Sequence, residues 1–245
     1  MKLTVLGNNG PFPAKDGACS GYVIESNNKD CGSGIKTLNS KGLVILDLGS
    51  GCLANFQKKF DISDISFIVI THLHFDHMSD LLVLRYALQV KGRTLDVYLP
   101  KEPENIVSVV KCDEFNLVHI DESSVIKRDS FVLRFKKTTH PVETYAVKIN
   151  DRFVYSSDLS QPEDLTDFAY GVDTLLIDSA LLAKQKSKTK AAHLCAKECG
   201  MLAAKLNVKR LILTHFPPYS DLEQYCMEAS SYFSNTVAAE ILGEY

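Results

Sequence analysis

The chain has 245 residues, 45% of them hydrophobic, which suits a single domain over 1–245 with a substantial core. A formal net charge of −3 with 23% charged residues excludes the basic field of an ordinary nucleic-acid binder. No apolar run approaches the ~18 residues needed to cross a membrane. Seven cysteines, an odd number with no C-x-x-C pair, follow a start that runs straight from Met1-Lys2 into a strand, so the expectation is a reduced, cytoplasmic protein with structural thiols.

In chain order, a short buried strand is expected over 3–6, broken by Gly7-Asn8-Asn9-Gly10-Pro11. A second strand covers 21–25, and the polar stretch 26–41 reads as an exposed, mobile hairpin tip. The apolar strand 43–47 ends in Asp47, followed by Leu48-Gly49-Ser50-Gly51, whose glycines permit a tight strand-to-helix turn. Asp47 is either a turn residue or a carboxylate that orients a ligand histidine through its free N–H. A strand over 67–70 precedes the motif considered below, and a helix follows over 79–90. Next come a strand at 95–99, a helix at 101–111 and strands at 115–120 and 131–135. A hairpin pairs 145–149 with 152–155 around Asn150-Asp151. Beyond it the pattern predicts a helix at 163–170, a strand at 173–178, a polar connection at 184–190 and a helix at 191–206 ending at Asn207. A strand at 210–215, a helix at 222–233 and an edge strand at 236–241 complete the chain. The lysine groups at 58–59, 136–137 and 184–190 read as solvated surface. Such a strand-rich chain with interleaved helices would bury sheet against sheet and cover both outer faces with helices.

The most informative stretch is Thr71-His72-Leu73-His74-Phe75-Asp76-His77, directly after the apolar run. At the end of a strand the i and i+2 side chains point the same way, so His72 and His74 can hold one cation. The following turn can aim Asp76 and His77 at a second. Imidazole and carboxylate donors suit zinc first, and manganese or iron next. The alternative is a polar turn that happens to be rich in histidine. Of the other histidines, His140 and His215 are placed at strand ends and His193 at a helix start, whereas His119 sits alone in a strand and reads as structural.

These residues resemble the metallo-β-lactamase superfamily, whose H-x-H-x-D-H signature is His72, His74, Asp76 and His77. The later family motifs match in order at His140 in Thr139-His140-Pro141, Asp158 in Tyr155-Ser156-Ser157-Asp158 and His215 in Leu213-Thr214-His215. Within the superfamily the chain is most similar to the ribonuclease Z-like, phosphodiesterase branch, on the strength of His193 and of Thr139-His140-Pro141. The resemblance implies an α/β (α+β) four-layer αββα sandwich and two Zn2+ ions, with Mn2+ or Fe as substitutes. His72, His74 and His140 would hold one metal, Asp76, His77 and His215 the other, and Asp158 would bridge them. Two such cations acidify a shared water toward pKa ~7 and clamp a phosphodiester. Asp76 would steer that water's proton, and His193, outside both coordination spheres, would protonate the leaving oxygen.

Two departures narrow the expectation. Met78-Ser79-Asp80 stands where many relatives have glycine. Only seventeen residues separate His140 from Asp158, too few for the arm with which ribonuclease Z grips tRNA, so a small phosphodiester is expected and tRNA is not. Aspartate rather than cysteine at 158 speaks against a β-lactamase proper. A thioester or lactone hydrolase on the same fold, and an iron-dependent oxidoreductase, are the rival activities. Members of the family are often homodimers, although no stripe in the sequence marks such an interface, and no membrane contact is expected.

Overall fold

A computed structural model describes residues 1–26 and 42–245. The hairpin tip expected over 26–41 lies, from residue 27 on, outside the described residues, as does Cys31. The first sheet takes its strands in sequence order: β1 Lys2–Gly7, β2 Gly21–Glu25, β3 Leu43–Leu48, β4 Ile65–Val69, β5 Leu95–Leu99 and β6 Phe115–His119. β1–β3 pair antiparallel and β3–β6 parallel. The second sheet contains β7 Val125–Arg128, β8 Phe131–Lys137, β9 Tyr145–Ile149, β10 Phe153–Tyr155, β11 Thr174–Asp178, β12 Arg210–Thr214 and β13 Thr236–Ala238. Here β7–β10 are antiparallel, and β10–β13 are parallel.

The alternation of side chains along each strand explains the layering. In β3, Val44 and Leu46 point between the sheets, where they join Phe67 and Val69 of β4 and Leu133, Val147, Leu176 and Ile212 of the second sheet. Leu43 and Ile45 point the other way, under α1 Cys52–Phe56, α3 Leu81–Lys91 and α4 Glu104–Val110. Leu175, Ile177, Leu211 and Leu213 face outward beneath α6 Ala196–Lys205 and α7 Leu222–Ser230. Strands that are apolar on both faces therefore yield three apolar layers and the four-layer αββα sandwich that the sequence predicts. Two short helices complete the α-helices among the described residues, α2 Phe75–Met78 and α5 Ala183–Lys186.

Several boundaries differ from expectation for tertiary reasons. The helix expected over 163–170 is only a 3-10 turn, Pro162–Leu165, because Leu165, Ala169 and Val172 are each drawn into the layer under α6 from an irregular backbone. The helix expected from 191 begins at Ala196. Residues 194–196 pair with Leu181 through its N–H to the Leu194 carbonyl and its carbonyl to the Ala196 N–H, and this keeps them extended. His193 therefore lies ahead of the helix rather than at its first turn. The connection over 184–190 starts as the helical turn α5, and strand β7, too short and charged to stand out in the sequence, adds an edge to β8. His119 is exposed at the end of edge strand β6, so it is not the interior structural residue expected. The outer face of α3 exposes Val83, Tyr86 and Val90 at i, i+3 and i+7, an apolar stripe that the sequence reading lacked.

Helices α6 and α7 approach closely at Gly200, where an added Cβ would overlap the Ala229 carbonyl oxygen. Gly200→Ala is expected to cost about 1–3 kcal/mol through overpacking, outweighing the gain in helix propensity. Thermal denaturation should show a Tm lower by roughly 2–10 °C; an unchanged or higher Tm would mean that α7 yields without cost.

Candidate metal centre

The candidate residues converge because each lies just beyond the C-terminal end of an apolar strand. Asp47 sits near the end of β3, His72 to His77 follow β4, His140 follows β8, Asp158 follows β10, Asp178 ends β11 and His215 follows β12. The core-facing side chains hold the strands, and the first residues beyond them are free to turn toward a common point. Three of these residues adopt a left-handed backbone: Asp47 at φ 56°, Ser157 at φ 53° and His215 at φ 61°. For non-glycine residues that conformation is costly and is kept only where surrounding contacts over-determine it.

Two clusters of ligand-type atoms result. In the first, His72 Nε2 lies 3.1 Å from His74 Nδ1, and His140 Nε2 lies 3.3 Å from the same atom. Asp158 Oδ2 approaches His72 Nε2 at 3.6 Å and His140 Nε2 at 3.9 Å. In the second, Asp76 Oδ2 lies 3.7 Å from His77 Nε2 and 3.9 Å from His215 Nε2. Asp158 joins this cluster too, with Oδ1 3.3 Å from His77 Nε2 and Oδ2 3.4 Å from His215 Nε2. The structure thus brings together all seven residues that the sequence singles out as metal ligands, with Asp158 between the two groups.

The imidazoles are aimed by their other nitrogens. His77 Nδ1 donates to Asp47 at 2.7 Å, His72 Nδ1 lies 3.3 Å from Ser157 Oγ, His140 Nδ1 faces the Ala192 carbonyl at 3.3 Å and His215 Nδ1 lies 3.1 Å from Ser20 Oγ. Each contact turns an Nε2 lone pair inward, the usual arrangement around a metal-binding histidine. Asp47 is therefore the orienting carboxylate of the two alternatives left open by the sequence. Gly10 completes the second cluster: a Cβ there would overlap the His215 ring.

A metal ion fits these groups on two grounds. His77 Nε2 and Asp158 Oδ1 are buried 3.3 Å apart, and neither makes a hydrogen bond of good geometry, although such atoms are ordinarily satisfied. The protonation states of the first cluster also suit ligation. Burial, reinforced by neighbouring imidazoles, holds His72 well below the ordinary histidine range and lowers His74 and His140 as well, leaving neutral donors. Burial opposes the charge on Asp158, but the His215 and His77 imidazoles outweigh it and keep the carboxyl well below its usual range. For His77 burial is likewise outweighed, by the Asp158 and Asp47 carboxylates, which raise it well above the ordinary value. A centre so rich in carboxylate favours added positive charge.

His193 stands beside these clusters. Its ring stacks on His215 with centroids 5.1 Å apart, and Nδ1 contacts Asp178 Oδ2 at 2.8 Å. Asp158 Oδ2 is 4.0 Å away, so His193, Asp158 and His215 form a third group of metal-ligand type. The Asp178 contact already engages Nδ1, and Asp178 is itself held by the N–H groups of Leu159 at 3.3 Å and Ala180 at 3.0 Å. Burial lowers the affinity of His193 for a proton, but Asp178 and then Asp158 raise its pKa to about 9. Asp178 was not among the residues singled out from the sequence, although its place at the end of an apolar strand repeats that of Asp47. Ser20, Ser157 and Gly10 carry no comparable signal.

Residues 44–216 match the family described as "Beta-lactamase superfamily domain". The chain is 28% identical to the probable metallo-hydrolase YhfI of Bacillus subtilis, over 97% of this chain and 96% of the relative. The crystal structure of that metallo-β-lactamase fold protein superposes with a TM-score of 0.88 at 26% identity, covering 100% of this chain and 98% of the other. A ribonuclease Z of Archaeoglobus fulgidus is 24% identical over 98% of this chain and 95% of its own length.

Zinc is expected to raise the melting temperature of the parent protein but not that of Asp158→Ala, because the variant removes the carboxylate that lies within reach of both clusters. In the parent protein, zinc at about 100 times its dissociation constant is expected to add roughly 2.7 kcal/mol. Melting curves with and without zinc, read together with metal analysis of dialysed protein, check this. A variant that retains two metals per chain would show that Asp158 is not a bridging ligand.

Proposed function

The chain belongs to the β-lactamase superfamily, and from that membership we propose that it is a dinuclear-metal hydrolase acting on phosphodiesters. His72, His74 and His140 would hold one cation and Asp76, His77 and His215 the other, with Asp158 within reach of both groups. Bound there, the two cations would supply Lewis acidity, lowering the pKa of water and neutralising charge on phosphoryl oxygens. Zinc suits the donor set best, with manganese or iron as substitutes.

The chain's own side chains supply the remainder. Asp76, whose Oδ2 lies between His77 and His215, accepts or directs the proton of the attacking water. His193 is the acid. Its Nδ1 is fixed by Asp178, which stabilises the imidazolium and leaves Nε2 to protonate the departing oxygen. The 2.8 Å His193–Asp178 pair beside the ligand cluster favours a substrate that expels an alkoxide over a thioester, because an alkoxide leaving group requires a proton far more than a thiolate does; a lactone shares that need, so the choice of a phosphodiester over a lactone rests on the relatives. The similarity to a ribonuclease Z over nearly the whole chain supports the same choice of bond. The substrate is a small diester rather than tRNA: between His140 and Asp158 the chain has room only for the β9–β10 hairpin.

Hydrolysis of bis(p-nitrophenyl) phosphate is expected, lost on treatment with chelator and restored by zinc or manganese. Inertness toward this ester with any metal, alongside turnover of thioesters or lactones, would overturn the reading. On a diester whose leaving group is an alkoxide, such as a dinucleoside monophosphate, His193→Ala should retain its metal and lower kcat by ~10²–10⁴-fold, the range for general acid catalysis, whereas p-nitrophenolate departs without a proton and its esters should be affected far less. Asp178→Asn should lower kcat less, roughly 10–100-fold, as expected for a positioning residue. Unchanged turnover of the alkoxide-leaving diester in His193→Ala would remove it from the reaction.

A further inference from the structure

The segment 183–190 reads Ala-Lys-Gln-Lys-Ser-Lys-Thr-Lys and places lysines at 184, 186, 188 and 190. Lys186 is neutralised by Glu198 at 2.6 Å. Lys184, Lys188 and Lys190 are exposed, and none has a carboxylate partner among the described residues. A run of lysines is ordinarily just a solvated face. Two features of its surroundings distinguish this one.

At one end, Lys186 lines a cavity of about 660 Å3 together with Ser160, Gln161, Glu163, Met201 and Lys205. Ser160 follows Asp158 by two residues and donates a hydrogen bond to the carbonyl of Thr139, the neighbour of His140, so one wall of the cavity is tied to the strand end that carries His140. At the other end the segment leads directly to His193, three residues after Lys190. Three residues span at most ~11 Å, and the flexible four-carbon stem of a lysine can cover much of that distance. The cavity itself balances Lys186 and Lys205 against Glu163 and Glu198 and has no net preference for anions. The uncompensated positive charge of this region is on the segment that runs from Lys186 toward His193, and two residues after Lys190 the Ala192 carbonyl meets His140 Nδ1 at 3.3 Å.

We propose that Lys188 and Lys190, with Lys184 farther out, bind a second, non-reacting phosphate of the substrate. The preferred phosphodiester is then nucleotide-like and carries two phosphates, one at the metal clusters and one on the lysine segment. This rests on the phosphodiesterase reading. A simple diester such as bis(p-nitrophenyl) phosphate has nothing to place on the segment, so comparing the two kinds of substrate isolates the contribution of the lysines.

The test uses the zinc-loaded protein and the double variant K188A/K190A. For the 5′-(p-nitrophenyl phosphate) of thymidine 3′-phosphate, KM should rise roughly three- to thirty-fold with kcat unchanged, the range for two exposed charge pairs. For bis(p-nitrophenyl) phosphate, KM should stay within about twofold, and K188R/K190R should behave as the parent on both substrates. Independently of turnover, thymidine 3′,5′-bisphosphate should bind the parent more tightly than thymidine 5′-phosphate does. That advantage should disappear in K188A/K190A and shrink as salt is raised. Equal changes in KM on both substrates, or no advantage for the bisphosphate, would overturn the proposal. If neither diester turns over with zinc or manganese, the phosphodiesterase reading fails, and the binding comparison by itself decides whether the lysines take a phosphate.

Discussion

Asp47 is the interaction on which the rest of the site depends. It is fully buried, yet it accepts hydrogen bonds from the Thr71 N–H at 2.7 Å, the Thr71 hydroxyl at 2.8 Å, His77 Nδ1 at 2.7 Å and the Tyr155 hydroxyl at 2.8 Å. An uncompensated buried carboxylate would cost several kcal/mol, and these four donors offset that cost only when all of them are in place. They come from both sheets: Thr71 and His77 follow β4, whereas Tyr155 ends β10. One anion thus joins the two halves of the sandwich at the level where the ligands emerge, and it sets the orientation of His77 at the same time. Polar contacts of this kind replace the apolar packing that the sheets lose beyond their strand ends.

The surrounding network extends the same logic. The Thr71 hydroxyl lies 2.6 Å from Ser157 Oγ, and Ser157 Oγ lies 3.3 Å from His72 Nδ1, so Asp47 is connected to a histidine of each cluster. On the far side the Tyr22 and Thr214 hydroxyls meet at 2.7 Å, just before His215. Left-handed backbone at Asp47, Ser157 and His215 falls within this network, and the hydrogen bonds and packing there supply the over-determination that such conformations require. Rigidity gathers where the ligands must be presented with fixed geometry.

Hydrophobic periodicity made the strands of the sandwich legible, because a strand buried on both faces is a short apolar run bounded by glycine, aspartate or proline. β7 escaped notice for the opposite reason: it is four residues long, has a lysine and an arginine, and is buried only at Ile126. The helix boundaries that moved were decided by partners distant in sequence. Leu181 holds 194–196 extended, and the layer under α6 draws in Leu165, Ala169 and Val172. No local propensity contains those contacts.

By itself, the sequence determined which side chains were available and in what order: the His72–His77 motif, then His140, Asp158 and His215, each placed near the end of an apolar run, with His193 ahead of a helical stretch. Strand periodicity is local, so it could be read without coordinates. Only the tertiary structure decided that these residues form two clusters sharing Asp158, that His193 is paired with Asp178, and that Ser20, Ser157 and Gly10 support the imidazoles. Those relations join residues as much as 205 positions apart, Gly10 and His215, and such distances are fixed by how two sheets pack and twist together rather than by any local pattern.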